Sequence, residues 1–165
     1  MFDYDLVGTK AVYRNYVPRD LPDLLRLALR QDGGRERGRE RGREPSSARD
    51  AIERTVAEFS RRKARGAILL VEVEEDQVGY CILANRWSHE RGGNLLCIED
   101  LYLVPEQAHR GIAEDLIRLL AEIAPAGSVA IQVEATSADR KASAAWERMG
   151  FHRAGNLVMI RDTRR

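Results

Sequence analysis

The run Ile98-Glu-Asp-Leu-Tyr-Leu-Val-Pro-Glu-Gln-Ala-His-Arg-Gly-Ile-Ala113, continuing into Glu-Asp-Leu-Ile-Arg-Leu-Leu120, constrains this chain more than any other segment. It reads as an apolar strand carrying two carboxylates, then a loop opened by Pro105, then an amphipathic helix whose first turn holds Gly111 and Ala113. The unpaired N–H groups of a helix N-terminus point into such a loop, and the helix dipole favours negative charge there. Small residues let an anion approach the backbone, because no branched side chain stands in the way. The segment is therefore an anion site in outline. Taken alone, the loop favours an ordinary strand-to-helix turn in which Gly111 serves tight packing. Its flanks separate the two readings.

Glu99 and Asp100 interrupt Leu95-Leu-Cys-Ile and Leu101-Tyr-Leu-Val, where a central strand favours apolar residues. Strand alternation places the two acids on opposite faces. One of them then faces a cleft or carries a burial cost. A partly desolvated carboxylate has a raised pKa, which suits a general base working near neutrality. Pairing with an arginine or a backbone amide is the structural alternative, and it is the favoured one for Asp100.

The rest of the chain alternates helical and extended patterns. Thr9 to Arg14 reads as a short strand. Asp20, Pro22 and Asp23 open a helix to about Arg30, with Leu21, Leu24, Leu25, Ala28 and Leu29 on its apolar face. Residues 33–44 carry five arginines, three glutamates and no apolar side chain, and read as a flexible, solvated loop. The glutamates cancel most of the arginine field and no aromatic is present for stacking, so a nucleic-acid role is set aside. A second helix follows from Pro45 to Lys63 on an Ile52, Val56, Phe59 stripe. Strands are expected at 66–74, 77–87 and 95–104. A third helix carries Ile112, Leu116, Leu119, Leu120 and Ile123 on one face. Another strand spans 128–135, a fourth helix ends near Gly150, and a strand pair closes the chain at 151–154 and 157–161.

Composition agrees with one globular domain over residues 1–165. A chain of this length buries roughly 70% of its unfolded-state surface. The net charge of +1 demands no polyanionic partner. No apolar run reaches the ~20 residues that span a bilayer. The acidic N-terminus lacks a signal pattern, which together with two isolated cysteines, Cys81 and Cys97, gives a cytoplasmic expectation. His89, His109 and His152 are not spaced as metal ligands, and no metal is expected.

The segment Ala108-His109-Arg110-Gly111-Ile112-Ala113 resembles the Gln/Arg-x-x-Gly-x-Gly/Ala pattern of the GNAT-type N-acetyltransferases. Gly111 and Ala113 match, and Ala108 stands at the leading Gln/Arg. Asp139-Arg-Lys-Ala-Ser-Ala-Ala-Trp-Glu-Arg-Met-Gly-Phe151 is similar to that family's C-terminal helix. There Ala142, Gly150 and Phe151 match, Asp139 stands where Asn is usual, and Trp146 where Tyr often acts as general acid. The resemblance runs from about Lys10 to about Asp162 and implies an α/β fold. A mixed, mostly antiparallel sheet of about seven strands is flanked by four helices, in the order βααβββαβαββ.

The resemblance further implies acetyl-CoA as co-substrate and a primary amine of a small molecule or protein as acceptor. His109, Arg110, Gly111, Ile112 and Ala113 would cradle the pyrophosphate, and the backbone of Leu103 and Val104 would hold the pantetheine and polarise the thioester. Asp139 and Trp146 would lie at the coenzyme. Glu99 would be the base, as the first acid of a Glu-Asp pair. The general acid has no assigned residue, since an indole N–H is no acid at neutral pH and solvent, Tyr102 or another phenol must serve. The alternative is a GNAT-fold module that binds an acyl-CoA or a partner with weak or no catalysis, favoured by Ala108 and Trp146. The acceptor's identity is unread, and a homodimer is left open.

Overall fold

The first strands and helices form because apolar residues recur at sheet and helix spacing between turn-forming residues. The structure, a computed structural model, describes residues 5–35, 48–123, 127–134 and 140–155. It divides into two compact units, residues 1–134 and 135–165.

The first unit holds a sheet of six strands, β1 (Asp5–Val7), β2 (Val12–Asn15), β3 (Gly66–Val73), β4 (Asp76–Ser88), β5 (Gly93–Leu103) and β6 (Ser128–Val133), side by side in chain order. Neighbours run antiparallel except β5 and β6, which are parallel. A parallel pair needs a crossover, and helix α3 (Ile112–Ile123) supplies it. Helices α1 (Leu21–Arg35) and α2 (Ala48–Arg61) lie between β2 and β3 in the chain. The mixed α/β architecture is the expected one, with six strands among the described residues.

The two sheet faces are told apart by two buried tyrosines. Tyr13 pairs with Val71 and Val71 with Gly79, so Tyr13 points to the face opposite Tyr80. The Tyr13 hydroxyl donates to the Ile112 carbonyl at 2.8 Å, which places α3 on that face. The Tyr80 hydroxyl lies 2.5 Å from Gln31 Oε1, which places α1 on the other. Leu24, Leu27, Leu69, Leu83, Leu116 and Leu120 are fully buried between these layers. Each such side chain contributes about 1.5–3 kcal/mol of burial free energy.

Several elements differ from the sequence reading. The strand expected at 9–14 is a hairpin, with Gly8 N–H bonding Ala11 C=O at 2.9 Å between β1 and β2. Helix α1 runs past Arg30 to Arg35, through two glycines placed in the loop at 33–44. Glycine weakens a helix without forbidding it, and Gln31 ties the last turns to the sheet by donating to Asp100 Oδ1 at 2.8 Å. The remainder of that loop, 36–44, lies outside the described residues. On the same helix Leu27 is buried and Leu29 is 47% exposed, reversing part of the expected apolar face. Cys81 and Cys97 are buried free thiols. Cys97 pairs with Ala84, three residues from Cys81 on β4, so the two point to opposite faces and cannot join.

The second unit contains α4 (Arg140–Arg148). Gly150 closes it at φ +91° with Phe151 N–H bonding Trp146 C=O at 3.1 Å, the left-handed C′ glycine expected there. Residues 151–154 form no strand, against expectation. Phe151-His-Arg-Ala154 has too little apolar alternation to hold a ladder by itself. The companion stretch 157–161 lies outside the described residues. No helix among the described residues is long and apolar enough to cross a membrane.

Candidate active site

A β-bulge sits at Glu99. Ile82 pairs with Asp100 and Leu83 with Ile98, so Glu99 is an extra residue with no partner on β4. A bulge breaks the two-residue alternation and re-aims side chains. Asp100 is paired with Ile82 and shares the face of Tyr80, whose hydroxyl lies 2.9 Å from Asp100 Oδ2. Glu99 lines a cavity with Ala84, Arg86 and Gln132, which belong to that same face. The two acids expected on opposite faces therefore share one. Asp100 anchors α1 through Gln31 and Tyr80, the structural role favoured for it, and Glu99 is left to the cavity.

The sheet forks at the same place. The β5–β6 ladder ends at Ile98 and Val133, while β5 continues to Leu103. Val104 N–H donates to Val78 C=O at 2.8 Å across β4. Antiparallel alternation then turns the N–H and C=O of Leu103, the partner of Gly79, away from β4 and toward the edge that β6 has left. Of the two backbone groups read as pantetheine contacts, Leu103 has its donor at the open edge. The Val104 donor is already used.

The loop after β5 is a tight turn. Gln107 and Ala108 N–H both bond Val104 C=O, at 2.9 and 3.1 Å. His109 and Gly111 are left-handed, at φ +66° and +79°. Gly111 C=O accepts the first bond of α3 from Asp115 N–H at 3.0 Å, so Gly111 caps the helix and the donors at the start of α3 have no intrahelical partner. A Cβ on Gly111 would meet only Lys10 Cε, at 4.0 Å. Lys10 thus brings a cation from the β1–β2 turn to the loop, a contribution the local sequence around Gly111 does not signal.

Asp115, in the first turn of α3, does not face the loop as a free negative charge. It is 6% exposed and accepts from Thr9 Oγ1 at 3.0 Å, Lys10 N–H at 3.2 Å and Arg118 Nη2 at 3.0 Å, and the Tyr13 hydroxyl shares its one proton between Asp115 Oδ2, at 3.1 Å, and the Ile112 carbonyl. Burial works to raise its pKa, and the bonds from Arg118, Lys10 and Thr9 outweigh that and hold it below the ordinary carboxylate value. The Tyr13 phenol is raised, first by burial and then by the Asp115 charge, and stays protonated.

The cavity beside the bulge measures about 360 Å³ and is lined by Glu99, Glu134, Arg86, Gln132 and Cys97, with Ala84, Asn85 and Ile98. Glu99 is exposed at the cavity mouth, and partial desolvation, with the Glu134 charge adding and Arg86 opposing, moves its carboxyl above the ordinary value. That is the direction a base near neutrality needs. Arg86 Nη2 donates to Gln132 Oε1. The Cys97 thiol is pushed up, chiefly by burial, and is no nucleophile.

Trp146 belongs to the second unit, where its ring meets Phe151 edge-on at 5.2 Å. Asp139 lies outside the described residues. The structure sets the candidate residues Glu99, Leu103, Val104, His109, Arg110, Gly111, Ile112 and Ala113 in chain order along β5, its loop and the start of α3, with Glu99 alone of them lining the cavity. It adds Lys10, Arg86, Gln132 and Glu134, which the sequence reading did not single out. Their signal was a register, not a motif: each lies on another strand or turn.

No curated protein is significantly similar to the chain in sequence. Among solved structures, a possible acetyltransferase from Clostridium difficile 630 matches with a TM-score of 0.75 at 17% identity, over 94% of this chain and 99% of that one. An integron cassette protein from the mobile metagenome of Cole Harbour Salt Marsh matches with a TM-score of 0.71 at 22% identity, over 93% and 91%. An aminoglycoside acetyltransferase from an uncultured soil metagenomic sample, solved in complex with sisomicin, matches with a TM-score of 0.65 at 15% identity, over 93% and 95%. At these identities the likeness is one of fold. The model of the acetyltransferase (GNAT) family matches residues 26–151, well over half of the sequence and all of the loop and helix described above. The chain belongs to the GNAT acetyltransferase family.

Proposed function

We propose that the protein is an acetyl-CoA-dependent N-acetyltransferase acting on a primary amine, with the whole chain as one catalytic domain. The observation that carries this reading is the bulge at Glu99, which turns a carboxylate of raised proton affinity into a cavity at the fork of the sheet. Leu103 offers a backbone donor at the same fork, and the start of α3 offers N–H groups beside Lys10. These features suit a long co-substrate with an anionic middle: pyrophosphate at His109 to Ala113, pantetheine along the open edge of β5.

The coenzyme supplies the acetyl group as a thioester. Glu99 takes the proton that the attacking amine releases, and the C–N bond forms as the C–S bond breaks. Leu103 N–H stabilises the charge on the carbonyl oxygen. The departing thiolate gains a proton from solvent or from Tyr102, which follows Asp100 on the same face. Lys10 assists by placing positive charge at the loop, while Asp115 is held out of the way by its four donors.

Acetyl-CoA should raise the thermal midpoint by mass action, and thiol release should follow on adding a primary amine. Gly111→Val forces a branched residue to φ +79° and should abolish the shift while leaving a folded protein. No shift with the unmodified chain at millimolar coenzyme overturns the proposal. A shift without thiol release for any amine would instead support an acyl-CoA-binding module.

A further inference from the structure

Glu134 stands in the cavity with no part in the mechanism above. It follows Val133, the last residue of β6 to pair with β5, as Glu99 follows that residue's partner Ile98. In a parallel ladder the next residues along both strands stand side by side. The two carboxylates therefore flank the mouth of the fork, one on each prong, and both line the same cavity.

We propose that Glu134 is a specificity residue for the acceptor, and that the acceptor carries two amino groups. Its reacting nitrogen, as the free amine, lies at Glu99, and its second nitrogen, as an ammonium, lies at Glu134. This rests on the acetyltransferase reading and names the substrate class for that site.

The chemistry of the lining supports the assignment. Two like charges side by side are unfavourable unless a cation lies between or beside them. Among the described lining residues Arg86 is the one cation, and its guanidinium is held by Gln132. The lining thus retains a net negative charge, which an external ammonium would neutralise. Ala84 and the buried Cys97, its partner on β5, give the same cavity an apolar wall for an alkyl linker. A volume of about 360 Å³ takes a small diamine. An α-amino acid fits less well: its carboxylate could reach Arg86 only beside two carboxylates of its own sign.

The test uses putrescine, n-butylamine and alanine as acceptors for the full chain, with Glu134→Gln as the variant. Glu134 is exposed, so the substitution leaves the fold in place. The ratio of kcat/KM for putrescine to that for n-butylamine should be about 10 or more in the unmodified protein and should fall to about 2 or less in Glu134→Gln. Calorimetric binding of putrescine in the presence of coenzyme A should weaken in parallel, and needs no turnover. Equal rates for putrescine and n-butylamine overturn the proposal, as does a preference that survives Glu134→Gln or a greater rate with alanine. If no amine is acetylated, the acetyltransferase reading fails separately. Putrescine binding that depends on Glu134 would then still uphold the seat, and its absence would overturn it.

Discussion

At the scale of single residues, the chemistry turns on two acids with opposite pKa shifts. Glu99 is raised, so its conjugate base forms as pH climbs through that raised value, and kcat/KM should rise over the same window. Glu99→Gln cannot accept the proton and should lower turnover by roughly 10²-fold or more, with coenzyme binding kept. Wild-type turnover in that variant would remove the base assignment. The groups facing Glu99 are Glu134 just after β6, Arg86 on β4 and Cys97 on its own strand. Asp115 is shifted the other way. Its folded pKa lies below the unfolded value, so its stabilisation is present above about pH 4 and is lost as pH falls through the folded value. Asp115→Ala strips the acceptor from Thr9, Lys10 N–H, Tyr13 and Arg118, and should cost about 2–3 kcal/mol near neutrality. Urea titrations at neutral and strongly acidic pH should show that deficit shrinking in acid. A deficit independent of pH would mean that packing, not charge, is what Asp115 contributes.

Among the elements, the β3–β4 connection is the one built against local preference. Glu74 and Glu75 join Val73 to its partner Asp76 in a two-residue loop, and both are left-handed, at φ +52° and +71°. Such a turn suits Asn-Gly, and each L-residue other than Asn, Asp or Gly carries strain there. Replacing the pair by Asn-Gly should raise stability by about 1 kcal/mol and the thermal midpoint by a few degrees. An unchanged or lower midpoint would show that the acidic pair makes a compensating contribution. The β1–β2 hairpin presents the reverse case. A Cβ on Gly8 would overlap Asp115 Oδ2 and crowd the Tyr13 ring, so the turn is pressed against the first turn of α3. That close approach is what brings Lys10 to Gly111.

For the molecule as a whole, the composition of the arginine-glycine stretch argues for chain closure rather than packing. Residues 36–44 contain no apolar side chain. Joining α1 to α2 by a shorter link changes the closure entropy only logarithmically, so deleting 36–44 should alter stability by about 1 kcal/mol or less. A larger loss by thermal or urea unfolding would show that these residues are packed. Acceptor kinetics of the same deletion would report whether the segment reaches the site.

The order of most elements was legible in residues 48–123 because each carries its own period, as in Leu116 and Leu120 on α3 or the unbroken apolar run of β3. The strand-loop-helix around Gly111 was legible for the same reason: a left-handed glycine before a helix is a local requirement. The facing of Glu99 was not legible. Sequence alternation separates it from Asp100, and only the ladder with β4 shows the extra residue that brings them to one face. The end of α1 was misread because Gln31 meets Asp100 across the sheet, a contact between residues 69 apart that offsets two glycines. Lys10, Arg86 and Glu134 enter the site in the same way, each by register or by a turn pressed against a distant helix. Local periodicity thus settled which elements exist between residues 48 and 123, but not the β1–β2 hairpin or the absence of a strand at 151–154. Pairing between strands, which depends on residues far apart in the chain, decided which side chains share the cavity.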